Sequence, residues 1–414
     1  MEKTVLKERG FEQMAADADC GRLLRDIEEL AAIGYVSQAG TNRMAYSTAF
    51  FEGRDLVKRR MEEAGLRTRI DRVGNLYGVL DASANDGETV RGKIAVGSHI
   101  DTVPNGGKYD GSLGVLGGIE AIRKLRESGY ENRHPIEIIA FIEEEGNVIG
   151  GTFGSKAFAG AEIEESMREP MASHGITQED FDSCKVSPDE YLCYLEYHIE
   201  QGGILERDEK EIGIVEGLFG IVRYRAVVAG TANHAGSTPM DLRDDAFEKS
   251  CWIIEDLMGR VRRSGSTMVS TVGTIRLEPG AVNVIPGRAE FIIELRDKTT
   301  ATIEKLMEKF LADWKETGLS LERFLIQKET ICDPGLENVI EESAQALGFT
   351  KKRMYSGAGH DVINTSFVTP SGMLFIPSVG GISHHKDEYS KPQDIARGEA
   401  VLVEAIMRID GGRR

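Results

Sequence analysis

No two cysteines in this sequence form a C-x-x-C pair, and the five present, Cys20, Cys184, Cys193, Cys251 and Cys332, are scattered and odd in number. That favours reduced thiols in a reducing compartment over a disulfide framework. Long hydrophobic runs are also missing, and none approaches the length of a membrane span. The start, Met1 to Arg9, is charged and has no apolar stretch behind it of the kind a secretory signal carries, so a cytoplasmic location is expected. Positive charge is scarce: a formal net charge of -18 leaves no basic surface to displace counterions from a phosphate backbone, which argues against nucleic acid. Histidine is scarce too, with eight in the chain, so the placement of each is informative.

What is present is an ordinary folding composition. With 41% hydrophobic and 29% charged residues over 414 positions, the chain can bury its own cores, and its length predicts two domains. Apolar residues recur at helical spacing over Glu12 to Leu30 and Ala49 to Ala64. Alternating strands follow over Leu66 to Leu80, with Gly74-Asn75 between them. Lys93 to Ser98 and Ile136 to Ile142 read as buried strands, and Gly114 to Ser128 as a helix. Strands alternating with helices predict an α/β layer with a mixed, largely parallel sheet flanked by helices.

After Ile214 the pattern changes to strand, helix, two strands and helix, over Phe219 to Gly230, Asp244 to Arg262, Thr267 to Leu277, Ala289 to Arg296 and Thr302 to Trp314. This suits a small α+β sandwich. Leu336 to Leu347 returns to helix, and the rest reads as glycine-rich turns and short apolar runs such as Met373 to Ile376. The expected organisation is a catalytic domain of residues 1–214 and 333–414, with 215–332 inserted as a second domain. No internal repeat or low-complexity segment is present.

Five histidines sit in stretches crowded with Gly, Ser, Asp or Glu. Gly97-Ser98-His99-Ile100-Asp101 ends a strand, where α/β sheets bind ligands. Asp101 is placed to hold the imidazole by its other nitrogen. Asp110, on the turn Lys108-Tyr109-Asp110-Gly111, can reach the same place and bridge two cations. Glu143-Glu144-Glu145 follows the Ile136 to Ile142 strand, and adjacent carboxylates there repel one another unless a cation or solvent relieves them. His198 lies in Glu196-Tyr197-His198-Ile199-Glu200-Gln201-Gly202, His234 in Ala232-Asn233-His234-Ala235-Gly236, and His384 in Gly381-Ile382-Ser383-His384-His385. Taken singly, the His99 segment reads equally well as a surface turn, and the acidic run and the lone histidines read better as a solvated turn and satisfied polar residues. Taken together, a mixed N/O donor set suits Zn, Mn, Co or Ni better than Ca or Mg.

These motifs, with Gly40-Thr41-Asn42-Arg43-Met44-Ala45-Tyr46-Ser47 ahead of them, resemble the amidase branch of the M20-type metallopeptidase family. That branch holds N-carbamoyl-L-amino-acid hydrolases, allantoate amidohydrolases and β-ureidopropionases, and the resemblance covers nearly the whole chain. It implies two divalent ions bridged by Asp110, one completed by His99 and His198 and the other by Glu145 and His384. Histidine at position 198 looks like the amidase branch, because many peptidase relatives carry a carboxylate there. Glu144 matches the general base, and His234 the residue that stabilises the oxyanion, often across a dimer interface. Asn283 and Arg296 match positions that hold a substrate carboxylate. Gln201 and the Gly357-Ala358-Gly359-His360-Asp361 loop match substrate-facing elements.

One turn departs from the pattern, because Gly146-Asn147-Val148-Ile149 stands where relatives commonly have Gly-Ser-Arg-Phe. The expected activity is cleavage of the carbamoyl C–N bond of an N-carbamoyl-L-amino acid or related ureido acid, giving amino acid, carbon dioxide and ammonia, by a homodimer whose inserted domain closes over the metals. An allantoate amidohydrolase, a dipeptidase or N-acyl-amino-acid deacylase, and a non-catalytic binding homologue are the alternatives.

Overall fold

Strands that are apolar on both faces must be covered on both sides, and four such strands form the centre of the larger sheet. Ser371–Ile376, Tyr191–Ile199, Lys93–His99 and Ile136–Phe141 run parallel in that order, and nearly all their residues are buried. The structure, a computed structural model, describes residues 20–83 and 91–412. Leu76–Leu80 and Arg67–Ile70 extend the sheet antiparallel beyond Ile136–Phe141, and Ile212–Leu218 extends it antiparallel beyond Ser371–Ile376. The short Thr330–Ile331 and Lys351–Ser356 strands pair with Ile212–Leu218, giving nine strands among the described residues. The sheet is therefore mixed, with its parallel part at the centre.

Parallel strands place all their carboxyl ends at one edge of a sheet. Here that edge carries His99, the acidic run after Phe141, His198, and the segment from Ile376 to His384. The connections return through helices. Ser112–Glu127 buries most of its length, including Leu113, Leu116, Ile119 and Ile122, and packs against Pro392–Asp410.

That last helix corrects the expectation of turns and short runs at the end of the chain. It spans 19 residues and buries Ile395, Val401, Leu402, Ala405, Ile406 and Ile409. Of the expected Glu12 to Leu30 helix, Gly21–Ala32 is helical; its part before residue 20, like the charged start, lies outside the described residues.

Two compact units are present, one of residues up to Glu216 together with Ile331 onward, the other Gly217–Thr330. In the second unit, four antiparallel strands lie in the order Val269–Glu278, Arg288–Asp297, Gly220–Ala229, Leu319–Gln327. Alternation sends Phe291, Ile293 and Leu295, with Val222, Ala226 and Val228, into a core shared with Ile253 and Leu257 of helix Ala246–Arg263 and Ile303 and Phe310 of helix Thr300–Trp314. Leu319–Gln327 is a strand that the sequence reading did not separate. The other face of the sheet carries ion pairs such as Arg223 with Glu294 and Arg225 with Glu322.

Candidate metal centre

His99 closes the Lys93–His99 strand and is almost wholly buried. Its Nδ1 lies 3.1 Å from the Asp101 carbonyl oxygen. A carbonyl can only accept, so this contact puts the ring proton on Nδ1 and leaves a lone pair on Nε2. His198 repeats the arrangement, with Nδ1 2.8 Å from the Ile199 carbonyl oxygen. Both Nε2 atoms face the same carboxylate oxygen, Asp110 Oδ1, at 3.5 and 3.2 Å.

The other oxygen, Asp110 Oδ2, faces His384 Nε2 at 3.2 Å, and His384 Nε2 lies 3.5 Å from Glu145 Oε2. Two groups of ligand atoms result, His99–Asp110–His198 and Asp110–Glu145–His384, each with its atoms within 4.8 Å of one another. Asp110 belongs to both. All five side chains named as ligands from the sequence thus come together.

Sequence places Asp110 by means of Gly111. Its φ of +60° lies in the left-handed region, and a Cβ there would stand 2.4 Å from the His99 ring. Only glycine lets the chain turn past the imidazole and enter helix Ser112–Glu127 directly. Arg43 supports the same turn from beneath: fully buried, it donates to the carbonyl oxygens of Ile100 (2.7 Å) and Leu30 (2.7 Å) and to Ser112 Oγ (3.1 Å).

The acidic loop is held from three sides. Asn75 accepts from the Ile142 amide at 3.0 Å and donates to the Gly154 carbonyl at 3.0 Å, clamping both ends. Glu143, at φ +58°, accepts from the amides of Val148 (2.6 Å), Ile149 (2.5 Å) and Gly150 (3.2 Å), so it shapes the loop. The Asp101 carboxylate accepts from the amides of Glu144 (3.3 Å) and Glu145 (3.1 Å). This refines the expectation for Asp101, whose carbonyl rather than its carboxylate orients the His99 ring; the carboxylate lies 3.7 Å from Nδ1. Glu144 Oε2 stands 3.7 Å from His99 Nε2, beside these two groups.

The electrostatics fit a cation. Burial, with the facing Asp110 carboxylate, pushes Glu145 up to about 8, and burial holds Glu144 well above the carboxylate range. Burial would also raise Asp110, yet the facing imidazoles of His198, His384 and His99 keep it well below the carboxylate range. Desolvated carboxylates, and imidazoles whose Nε2 lone pairs converge on them, form a donor set suited to divalent ions.

The remaining predicted residues divide between the units. Gln201 Nε2 donates to Asp110 Oδ2 at 2.8 Å, so its observed partner is the shared carboxylate. The Gly357-Ala358 loop is tied by Ser356 Oγ, which accepts from the Ala358 amide at 3.1 Å and contacts His360 Nε2 at 3.0 Å; the His360 ring lies edge-on to His198 with centroids 4.5 Å apart.

His234, Asn283 and Arg296 belong to the second unit. His234 Nδ1 accepts from the amides of Gly236 (3.0 Å) and Ser237 (3.1 Å), which leaves its ring proton on Nε2. Asn283 holds that loop through its carbonyl, which accepts from the Ala235 amide at 3.0 Å. Arg296 pairs with Glu294, Nη2 to Oε1 at 2.8 Å.

Sequence reasoning missed the structural work of Asn75, Glu143 and Glu388. The Gly74-Asn75 turn was visible as a turn, but nothing local shows that its amide reaches Ile142 and Gly154.

Residues 95–408 match peptidase family M20/M25/M40. The chain is 34% identical to an N-carbamoyl-L-amino acid amidohydrolase of Geobacillus stearothermophilus, over 94% of this chain and 98% of that one. It is 32% identical to an allantoate amidohydrolase of Bacillus subtilis, over 92% and 96%. A crystal structure of a hydantoinase/carbamoylase-family amidase from Burkholderia multivorans superposes with a TM-score of 0.83 at 31% identity, covering 94% of this chain and 97% of that one. With the family's motifs assembled around Asp110 and this similarity running almost end to end, the chain belongs to peptidase family M20/M25/M40, in its amidase branch.

Proposed function

We propose that the chain hydrolyses the carbamoyl C–N bond of an N-carbamoyl-L-amino acid or related ureido acid, giving the amino acid, carbon dioxide and ammonia. Membership of the family makes it a hydrolase of amide C–N bonds; the carbamoyl group is the finer reading. The observation that carries the hydrolytic site is the sharing of Asp110 between two donor groups, one oxygen toward His99 and His198 and the other toward His384, and the similarity to the Geobacillus stearothermophilus protein supports the carbamoyl group. Two divalent ions held there, Zn, Mn, Co or Ni, supply Lewis acidity and lower the pKa of water towards about 7.

Glu144 takes the proton of the attacking water and returns it to the departing amine nitrogen, which must be protonated to leave. His234, with its proton on Nε2, donates to the oxyanion. Arg296 offers a planar fork for the substrate carboxylate, Asn283 is a second contact to it, and Gln201, Gly357 and Ala358 complete the substrate contacts. Water adds across the carbamoyl C–N bond, the amino acid leaves as amine, and the carbamic acid formed breaks down to carbon dioxide and ammonia. The reading extends to a cytoplasmic homodimer in which residues 215–332 serve as lid and dimerisation domain. Sedimentation of the purified chain checks the assembly.

The test is ammonia release from a panel of N-carbamoyl-L-amino acids and allantoate, set against amine release from dipeptides and N-acyl-amino acids, on the Mn, Co, Ni and Zn forms. Turnover of N-carbamoyl substrates is expected. Activity confined to dipeptides or N-acyl-amino acids would overturn the carbamoyl reading. The similarity to the Bacillus subtilis protein favours allantoate as the second reading, and strong preference for allantoate would select it.

A further inference from the structure

Asp110 is gripped from two directions by one closed ring of hydrogen bonds. Glu388, 3% exposed, accepts through Oε1 from the amides of Tyr109 (2.9 Å) and Asp110 (3.1 Å), and through Oε2 from the Ser383 hydroxyl (2.8 Å). A hydroxyl has one proton. Ser383, having given its proton to Glu388, accepts from Gln201 Nε2 at 3.2 Å, and the same nitrogen donates to Asp110 Oδ2 at 2.8 Å.

The direction of donation around the ring is therefore fixed. If the Gln201 amide were turned over, its oxygen would face the Asp110 carboxylate and a Ser383 oxygen whose proton is committed elsewhere. Space is reserved for the carboxylate as well, since a Cβ on Gly107 would stand 2.2 Å from Glu388 Oε1.

We propose that Glu388 is a positioning residue that sets the separation of the two cation sites. It fixes the Asp110 turn through the backbone and the Asp110 Oδ2 atom through Ser383 and Gln201. The Asp110–Glu145–His384 group is thereby kept in register with His99–Asp110–His198. The inference rests on the dinuclear reading above. Of the two groups, the one with His384 depends more on this ring, because His384 is half-exposed and immediately follows Ser383 in the chain.

Titration of the metal-free chain with cobalt(II), followed by calorimetry and by electron paramagnetic resonance, tests it. The wild-type chain is expected to bind two ions, the second reducing the signal of the first through magnetic coupling across the shared carboxylate. In Glu388→Gln the first affinity is expected to hold, the second to weaken about 10- to 100-fold, and the coupling to diminish.

A Glu388→Gln chain that folds as the wild type does and binds both ions with unchanged affinity and coupling overturns the proposal. Loss of both ions in equal measure overturns it too, because a general structural role would do that. Should Glu388→Gln not fold, Ser383→Ala decides: a selectively weakened second ion supports the inference, and unchanged binding overturns it. Fewer than two cobalt ions on the wild-type chain sinks the dinuclear reading itself, and this inference with it.

Discussion

The His99 and His198 rings stack at an inclination of 30° with centroids 6.1 Å apart, and each holds its Nδ1 proton on a backbone carbonyl. Backbone carbonyls do not titrate, so the tautomer that offers Nε2 is set by the fold before any cation arrives.

Glu144→Gln removes the proton carrier while keeping its size. Metal content is expected to match the wild type, with turnover of an N-carbamoyl substrate reduced about 10²- to 10⁴-fold. Metal analysis and steady-state kinetics on one preparation check this; near-normal turnover would take Glu144 out of the mechanism.

For His234→Ala, loss of an oxyanion donor is expected to lower kcat about 10²- to 10³-fold, with KM nearly unchanged. A rise in KM at constant kcat would instead assign His234 to ground-state binding.

Asn75→Ala leaves the Ile142 amide and the Gly154 carbonyl without their clamp. A buried polar group left unpaired costs about 1–3 kcal/mol, so the urea midpoint is expected to fall. An unchanged midpoint would show that the acidic loop holds itself.

On helix Pro392–Asp410, Glu399 is buried against Lys124. Burial, opposed by Lys124, pushes its carboxyl up from 4.5 to about 7. The folded chain thus binds this proton more tightly than the unfolded chain. The stabilisation, about 3 kcal/mol, is complete below pH 4.5 and is lost as pH rises through about 7. Glu399→Gln is expected to remove this part of the slope between those values. Parallel wild-type and variant curves of stability against pH would refute the assignment.

The strand and helix order of the parallel centre was legible because Lys93–His99 and Ile136–Phe141 are mainly apolar and end in polar, glycine-rich turns. The five side chains that meet at Asp110 were legible because the three histidines among them sit in unusual local settings, and the family resemblance joined these to the two carboxylates. Pro392–Asp410 was not read, although its apolar residues fall at helical spacing; Gly398 in its interior weakens the periodic signal. Glu388 and Asn75 were illegible for another reason. Their partners lie 278 and 79 positions away, a relation that no local pattern carries.

Asp101 meets His99 through its carbonyl and the Glu144 and Glu145 amides through its carboxylate, while Asn75 pins the far ends of the same loop. Anyone grafting residues 143–154 from a relative to retune selectivity is therefore transplanting a part whose fasteners lie in the host. The exchange succeeds only as a set, with both anchor residues compatible with the incoming segment.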